Sequence, residues 1–407
     1  MTSLVHIGDV HAAPGPRNAD RWRAVDQIIT EGLALEQLGA WLIPGDLFDA
    51  LSTAEDRNAW DTRLQRMGDA GPVVIIYGNH DRPGDLDGFA NLKANHPIYV
   101  IDRPHVLVLR LATLQMAAIF CLPYPQKAGL VAAGVVPGDV VETASDLLEP
   151  VFMLAAAQLA AYEAEGHLTL MIGHVNVAGA QLSNGQPSIG HEIELNPKHL
   201  DRLGDIPKLL NHIHKPQEIA GAHYAGSVCR LDYGEIEAKR YLVVNFYDED
   251  TEIVSKPLDV APMFHVDGVL SRNGFSVDSF DETHDAEIHR RLEARDWVGC
   301  DVRVRYRYQA SEKTVLDVAQ IHELFRLTLR LKVEGVAISD RELRAPAVAA
   351  AKTLPDKLAA YRKVEQLEPS IAAKVALLER GDSSAVLADV VARLRVIEQH
   401  ERAQVAA

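Results

Sequence analysis

Cysteine is scarce in this sequence. Cys121, Cys229 and Cys300 are its three cysteines among 407 residues, and no two of them form a CxxC pair. So few, widely separated thiols exclude a disulfide framework and a cysteine-type structural zinc site. They favour a reducing compartment, and we expect the protein to be cytoplasmic.

Long hydrophobic runs are absent as well. No run approaches the length needed to cross a bilayer, and residues 1–4 carry neither the basic region nor the long apolar segment of a secretion signal. Apolar residues make up 47% of the chain and charged residues 24%, an ordinary balance for a globular protein of two or three domains. We therefore expect a soluble protein with no membrane partner.

Positive charge is in deficit. The chain has 41 Lys and Arg against 57 Asp and Glu, a net charge of −16. Proteins that bind nucleic acid by displacing counterions need an excess of basic residues at the contact. The charge therefore slightly favours an enzyme for a small substrate. A nucleic-acid enzyme stays open if basic residues cluster locally, metals neutralise part of the site, or a partner supplies further contacts.

Five apolar runs each end in carboxylate, amide or imidazole groups. Because parallel strands end at one edge of an open α/β sheet, we expect these groups to converge there. The donors are oxygen and nitrogen without sulfur, which favours manganese, iron or another borderline divalent ion. The run at residues 72–77 leads into Gly78-Asn79-His80-Asp81, and the other four end at Asp9-Val10-His11, Gly45-Asp46-Leu47-Phe48-Asp49, Gly173-His174 and Asn211-His212-Ile213-His214.

The order of these motifs resembles that of the calcineurin-like metallophosphoesterase superfamily. Its D-x-H, G-D-x-x-D, G-N-H-D and G-H patterns are intact, and its G-H-x-H pattern occurs with Asn211 in place of the usual glycine. Asn is the non-glycine residue that best tolerates a left-handed backbone, so we expect the turn at Asn211 to survive and the ligands to be kept.

A narrower resemblance is to the SbcD family, the nuclease subunit of bacterial SbcC–SbcD complexes. It implies a metal-dependent DNA exonuclease, with endonuclease activity in addition, that works with an SbcC-like SMC-type ATPase in DNA repair or processing. A homodimer is compatible with it. The resemblance covers residues 1–245 well and rests on His212-Ile213-His214-Lys215-Pro216-Gln217, Tyr224-Ala225-Gly226-Ser227 and Arg230-Leu231-Asp232-Tyr233-Gly234-Glu235.

The resemblance also implies roles for the site residues. Two divalent ions, Mn²⁺ first and Mg²⁺ or Fe²⁺ as alternatives, would clamp a phosphodiester. Asp46 would bridge the ions, and Asp81 would orient His80, a proton donor left off the metals. Asp49 would lie at the edge of the site. The other ligands would be Asp9, His11 and His214 on one ion and Asn79, His174 and His212 on the other.

Further histidines lack this position at a strand end. We expect each of them to be structural or solvent-exposed, because an imidazole away from the converging motifs has no neighbouring ligands to complete a metal site. They include His6, His96, His105, His191 and His223.

The rhythm of strands and helices predicts an α/β fold in residues 1–260, a metallophosphoesterase-type sandwich of two sheets flanked by helices. Residues 261–343 are expected to form a small α+β capping domain that contacts DNA. Residues 344–407 are expected to be helical, and to bind a partner or pack on their own domain. The polar loop at residues 179–194 is expected to shape the substrate groove.

One strand of the predicted capping domain has a row of arginines. Alternation over residues 301–308 places Val302, Val304 and two tyrosines on one face. The opposite face carries Arg303, Arg305 and Arg307. This row either follows a phosphate backbone or protects a solvated edge strand with charge.

Three functions stay open on the sequence alone. The first is the DNA nuclease subunit, the second a phosphoesterase of the same fold for nucleotides or other small phosphoesters, and the third a DNA-end scaffold for an ATPase with dispensable cleavage. The tail after Gly335 favours the first and third, because a stand-alone phosphoesterase does not need it. The complete set of metal ligands favours the first over the third.

Overall fold

Two six-stranded sheets dominate the computed structural model, which describes residues 1–125, 140–183, 193–248, 250–278 and 282–339. The first sheet has the order β14 (Thr251–Pro257), β13 (Arg240–Phe246), β1 (Thr2–His6), β2 (Leu38–Ile43), β3 (Val73–Ile76), β4 (Ile98–Ile101). The second has the order β11 (Gln217–Ile219), β12 (Ala222–Tyr224), β10 (Lys208–Asn211), β7 (Leu168–His174), β6 (Met116–Leu122), β5 (His105–Arg110). A short pair joins β8 (Asn176–Val177) to β9 (Glu194–Leu195).

Helices cover the outer faces of both sheets. They are α1 (Asn18–Leu33) and α2 (Ala54–Ala70) on the first sheet, and α3 (Val140–Ala164) and α4 (Pro197–Asp201) on the second. None of the helices in the described ranges is long and apolar enough to cross a membrane.

The layers follow from the alternation of side chains along strands that are buried on both faces. In β1, Val5 packs beneath α1 and α2, whereas Leu4 faces the second sheet. In β10, Leu209 enters the layer between the sheets and Leu210 the layer beneath α3. Each fully buried side chain of this kind contributes roughly 1.5–3 kcal/mol. The predicted sandwich of two sheets flanked by helices is confirmed.

Strand direction brings the polar strand ends together. β1, β2, β3 and β4 pair in parallel, with His6 opposite Leu42 and Ile43 opposite Ile75. In the second sheet β7 and β10 are parallel, and His174 lies opposite Asn211. The loops after these strands therefore leave each sheet at a common edge.

A third sheet belongs to a smaller α+β part of the chain. Its order is β16 (Gly274–Val277), β15 (Met263–Ser271), β17 (Asp301–Gln309), β18 (Arg330–Ile338), and α5 (Glu282–Ala294) and α6 (Ala319–Leu324) accompany it. The alternation predicted for β17 is observed, since Val302, Val304 and Tyr306 pack with the buried Trp297 and Phe325.

An ionic cluster joins this smaller part to the first sheet's helices. The Arg330 guanidinium donates to the buried Asp301 carboxylate at 2.7 and 2.9 Å, to Asp20, and to the Pro16 carbonyl at 3.0 Å. Arg17 lies 3.7 Å from the same Asp301. Because Arg17 and Pro16 are in the loop that follows His11, the cluster ties the smaller part to the loop beside the predicted site.

The chain divides into two compact units, Met1–Tyr308 with Val315–Val336, and Gln309–Thr314 with Ala337–Ala407. Of the second unit, the described residues are 309–314 and 337–339. The three-domain division at residues 260 and 343 stays a prediction. The helical segment 344–407 and residues 184–192 of the polar loop lie outside the described residues.

Gly8 tests the packing between the strand ends. A methyl group at this position would lie 1.8 Å from the Gly226 carbonyl oxygen, a backbone atom that cannot rotate away. We expect Gly8→Ala to lower the free energy of unfolding by at least ~1–3 kcal/mol, the usual effect of overpacking. Gly88→Ala is the control, because no heavy atom lies within 4 Å of its added methyl. Equal melting temperatures for the two variants would contradict this packing.

Candidate metal centre

The structure gathers the polar ends of five strands at one edge of the sandwich. Every residue that the sequence predicted as a ligand or catalytic group is linked to another of the set by contacts of 4 Å or less. The set comprises Asp9, His11, Asp46, Asn79, His80, Asp81, His174, His212 and His214. Their roles as ligands stay predictions.

Three of these residues have a left-handed backbone. The φ angles are +50° at His11, +52° at Asp46 and +98° at His212. Side chains rarely adopt this conformation, which costs ~1–3 kcal/mol per residue and persists where the surrounding structure holds it. The turns that aim these side chains at a common point are therefore strained.

The left-handed turn expected at Asn211 was placed at the wrong residue. Asn211 ends β10, paired with His174, and the chain turns one residue later at His212. Asn211 is kept extended by this pairing and by its amide, which is buried and hydrogen-bonded to His6 and to the Ile7 carbonyl.

One group of donors surrounds His174. Its Nε2 lies 2.8 Å from Asn79 Oδ1 and 3.2 Å from Asp46 Oδ2. Asn79 Oδ1 is also 2.9 Å from His212 Nδ1. Asp9 lies behind this group, 3.8 Å from His174 Nδ1, and its carboxylate accepts the His212 N–H at 3.1 and 3.2 Å. The carboxylates of Asp9 and Asp46 are both buried.

A second group surrounds His11. Its Nε2 lies 3.0 Å from His214 Nε2 and 3.5 Å from Asp46 Oδ2, and its Nδ1 lies 3.2 Å from Asp49 Oδ1. Asp46 Oδ2 is therefore close to an imidazole of each group. This is the position that a carboxylate shared by two ions would need.

The chemistry of the donors fits a divalent cation. His174 Nδ1 lies 2.7 Å from the Pro44 carbonyl, and because a carbonyl only accepts, the neutral ring carries its proton there. The Nε2 lone pair then faces the oxygens of Asn79 and Asp46. These acceptors repel one another unless a cation or a proton lies between them.

The titration of His174 shows the same demand for positive charge. Burial alone would lower its pKa, but the neighbouring carboxylates of Asp46 and Asp9 raise the pKa of His174 to about 9. Burial likewise works to raise the pKa of Asp46, and the imidazoles of His174 and His11 hold that pKa below its ordinary value. Without an ion, a proton supplies the missing positive charge.

The structure corrects the partner of His80. Its Nδ1 donates to the Asp49 carbonyl at 2.7 Å, and its imidazole is 39% exposed. The Asp81 carboxylate, expected to orient His80, instead accepts the backbone N–H groups of Asp46, Gly78 and Phe48 at 2.8, 2.9 and 3.2 Å. Asp81 lies buried beneath the loop and its neighbour His80 points outward, so the two side chains serve different partners.

Glu235 and Lys239 are site residues that sequence reasoning missed. His214 Nδ1 donates to Glu235 Oε1 at 3.2 Å, which turns Nε2 toward His11. The buried Lys239 ammonium binds Glu235 Oε2 at 2.5 Å and the His214 carbonyl at 3.1 Å. Burial opposes ionisation of Glu235, yet His214 and Lys239 lower its pKa to about 2. The signal was Glu235 in the SbcD-like stretch, with a lysine four residues later.

The three arginines of β17 are each paired within the smaller part of the chain. Arg303 binds Glu334 at 2.7 Å, Arg305 lies 3.4 Å from Asp267, and Arg307 binds Asp278. These pairs match the alternative in which charge protects a solvated strand. A contact between these arginines and DNA stays a prediction.

The buried pair below His214 gives a stability prediction. Removing one partner of a buried ion pair leaves an uncompensated charge, so we expect Lys239→Met to lower the free energy of unfolding by ~3–5 kcal/mol in chemical denaturation. Glu323→Gln is the control, since its pair with Arg326 is mostly exposed and such pairs contribute ~0–1 kcal/mol. Similar small losses in both variants would show that Lys239 does not balance Glu235.

Comparisons with known proteins follow this geometry. Residues 2–129 match the family of calcineurin-like phosphoesterases. Over 259 residues the chain is 24% identical to the SbcD subunit of nuclease SbcCD from Bacillus subtilis (strain 168), covering 57% of this chain and 63% of that protein. The crystal structure of TT1561 of Thermus thermophilus is similar with a TM-score of 0.37 at 13% identity, covering 62% of this chain and 98% of that one. The superfamily resemblance is confirmed, and residues 2–129 belong to the calcineurin-like metallophosphoesterases.

Proposed function

We propose that this protein is a metal-dependent DNA nuclease that hydrolyses phosphodiester bonds as the nuclease subunit of a complex with an SbcC-like ATPase. The observation that carries the proposal is the position of Asp46 Oδ2, 3.5 Å from His11 Nε2 and 3.2 Å from His174 Nε2. A carboxylate between two groups of nitrogen and oxygen donors is what a two-ion phosphoesterase site requires. The similarity to the SbcD subunit of a nuclease supports DNA as the substrate and the cytoplasm as the location.

Two sets of residues would hold the ions, which we expect to be Mn²⁺, with Mg²⁺ or Fe²⁺ as alternatives. His11 and His214 would bind one ion, Asn79, His174 and His212 the other, and Asp46 both. Asp9 contacts His174 and His212 and would complete the site from below. Divalent ions bound there would supply Lewis-acid stabilisation of the charge that develops on a phosphodiester.

The remaining residues of the site orient groups and move a proton. His80 stands at the rim, exposed to solvent, with its Nδ1 held by the Asp49 carbonyl. In its protonated form the opposite nitrogen, Nε2, would hold a proton for the leaving oxygen of the substrate. Asp81 fixes the loops of Asp46 and Gly78 through their N–H groups, so it positions His80 through the backbone.

A phosphoesterase for nucleotides or other small phosphoesters is the second candidate. The observation that favours it is the pairing of Arg303, Arg305 and Arg307 with carboxylates, which leaves this row less charge for a phosphate backbone. The net charge of −16 acts in the same direction.

End-labelled duplex DNA and bis-p-nitrophenyl phosphate, each with Mn²⁺, distinguish the two candidates. We expect release of nucleotides from the DNA, and loss of both activities and of bound metal in Asp46→Ala, because Asp46 contacts both groups of donors. Hydrolysis of the small ester with intact DNA, alone and with the ATPase partner, would favour the second candidate. Turnover by Asp46→Ala with two metals bound would reject the shared carboxylate.

His80 separates binding from chemistry. Since His80 is not assigned as a ligand, His80→Ala should retain its metals by elemental analysis and its DNA binding by filter retention. Its rate should fall by ~10²–10⁴-fold, the usual contribution of a proton donor. The exposed His105 is the control, and His105→Ala should leave the rate unchanged. A metal lost from His80→Ala would show that His80 is a ligand.

A further inference from the structure

His6 and Asn211 form a buried hydrogen bond between the two sheets. Both residues are 0% exposed, and His6 Nε2 lies 2.9 Å from Asn211 Oδ1. Asn211 Nδ2 also donates to the Ile7 carbonyl at 3.2 Å. One side chain at the end of β10 is therefore attached twice to the end of β1, across the layer between the sheets.

The alternation of side chains explains why these two residues meet. Leu4 in β1 and Leu209 in β10 both pack in the layer between the sheets. Residues two positions further along each strand share that face, and they are His6 and Asn211. Polar groups at the end of an apolar layer need partners, and here each supplies the other's.

The chemistry of the amide sets the direction of the bonds. Because Asn211 Nδ2 donates to the Ile7 carbonyl, Oδ1 is the acceptor and His6 donates from Nε2. His6 Nδ1 then holds a lone pair, and it has no hydrogen-bond partner among the described residues. Burial lowers the pKa of His6 to about 4, so the link is uncharged at neutral pH.

The link lies beside two residues of the candidate metal centre. His212 follows Asn211, has a φ of +98°, and donates its N–H to both oxygens of Asp9. Asp9 is only two residues beyond Ile7. A closed path therefore runs from β1 through Asp9, His212 and Asn211 back to β1. Such a path restrains a strained backbone from both sides.

We propose that His6 and Asn211 are positioning residues that hold Asp9 and His212 in the arrangement that binds the divalent ion. The proposal rests on the metal-dependent activity proposed above, but it concerns metal affinity, which is measurable whether or not the protein cleaves DNA. The glycine usual at position 211 in this motif has no side chain with which to form the link. Here a hydrogen bond fixes what a glycine would leave free.

Mn²⁺ affinity by isothermal titration calorimetry tests the proposal on four variants of the full chain. Asn211→Gly and His6→Leu each break the link, and we expect each to weaken Mn²⁺ binding ~10–100-fold, as loss of an outer partner does at other metal sites. The double variant should be no weaker than the weaker single variant, because both changes remove the same link. His6→Gln retains a donor and should retain most of the affinity.

Ser3→Ala is the matched control. Ser3 lies on the same strand β1, and its Oγ donates to the buried Asn245 Oδ1 at 2.7 Å, on the face opposite His6. It should lower the melting temperature and leave Mn²⁺ affinity unchanged, whereas a merely structural role for the link would give all variants the same pattern.

Wild-type affinity in a folded Asn211→Gly would overturn the proposal. So would a loss in Ser3→Ala as large as the loss in His6→Leu, or a wild-type protein that binds no Mn²⁺. If His6→Leu does not fold, equal affinities of Asn211→Gly and His6→Gln would overturn it, and a loss confined to Asn211→Gly would support it. A wild-type protein that binds Mn²⁺ and cleaves no DNA would reject the nuclease function alone.

Discussion

The buried carboxylate of Asp46 is the interaction on which the rest of the centre depends. It is 1% exposed, and it touches His11 and His174 through one oxygen and the His80 N–H through the other. A buried negative charge is costly unless positive charge or hydrogen-bond donors surround it. The imidazoles and amides at the strand ends therefore face Asp46, and the same arrangement prepares a place for cations.

Close backbone approach is the second condition for this geometry. A side chain on Gly78 would lie 2.1 Å from Asp46 Oδ1, and Gly45 has a φ of +92°. The loops after β2 and β3 are thus pressed together, and the N–H groups that point inward are taken up by Asp81. Stability is lost in the strained turns at His11, Asp46 and His212, and the packed layers beneath them compensate.

The smaller part of the chain is connected to the centre through loops. Arg17 reaches Asp301 on one side, and on the other it donates to the Leu231 carbonyl and lies over the Tyr233 ring at 4.8 Å. Tyr233 is two residues from Glu235, the partner of His214. The arginines of β17 are held by their own carboxylates, so in the proposed complex the ATPase subunit would supply much of the positive charge that DNA requires.

The sequence by itself determined the α/β class and the residues of the centre. Both are written locally, in apolar runs of strand period and in the polar groups that end them. Only the tertiary structure decided which groups touch, because Asp49 with His80, Glu235 with His214 and His6 with Asn211 are separated by 31, 21 and 205 positions. Local patterns fix the face of a strand on which a side chain lies. Its partner depends on how separate strands and loops pack, which is why Asp81 and Asn211 were assigned the wrong local roles.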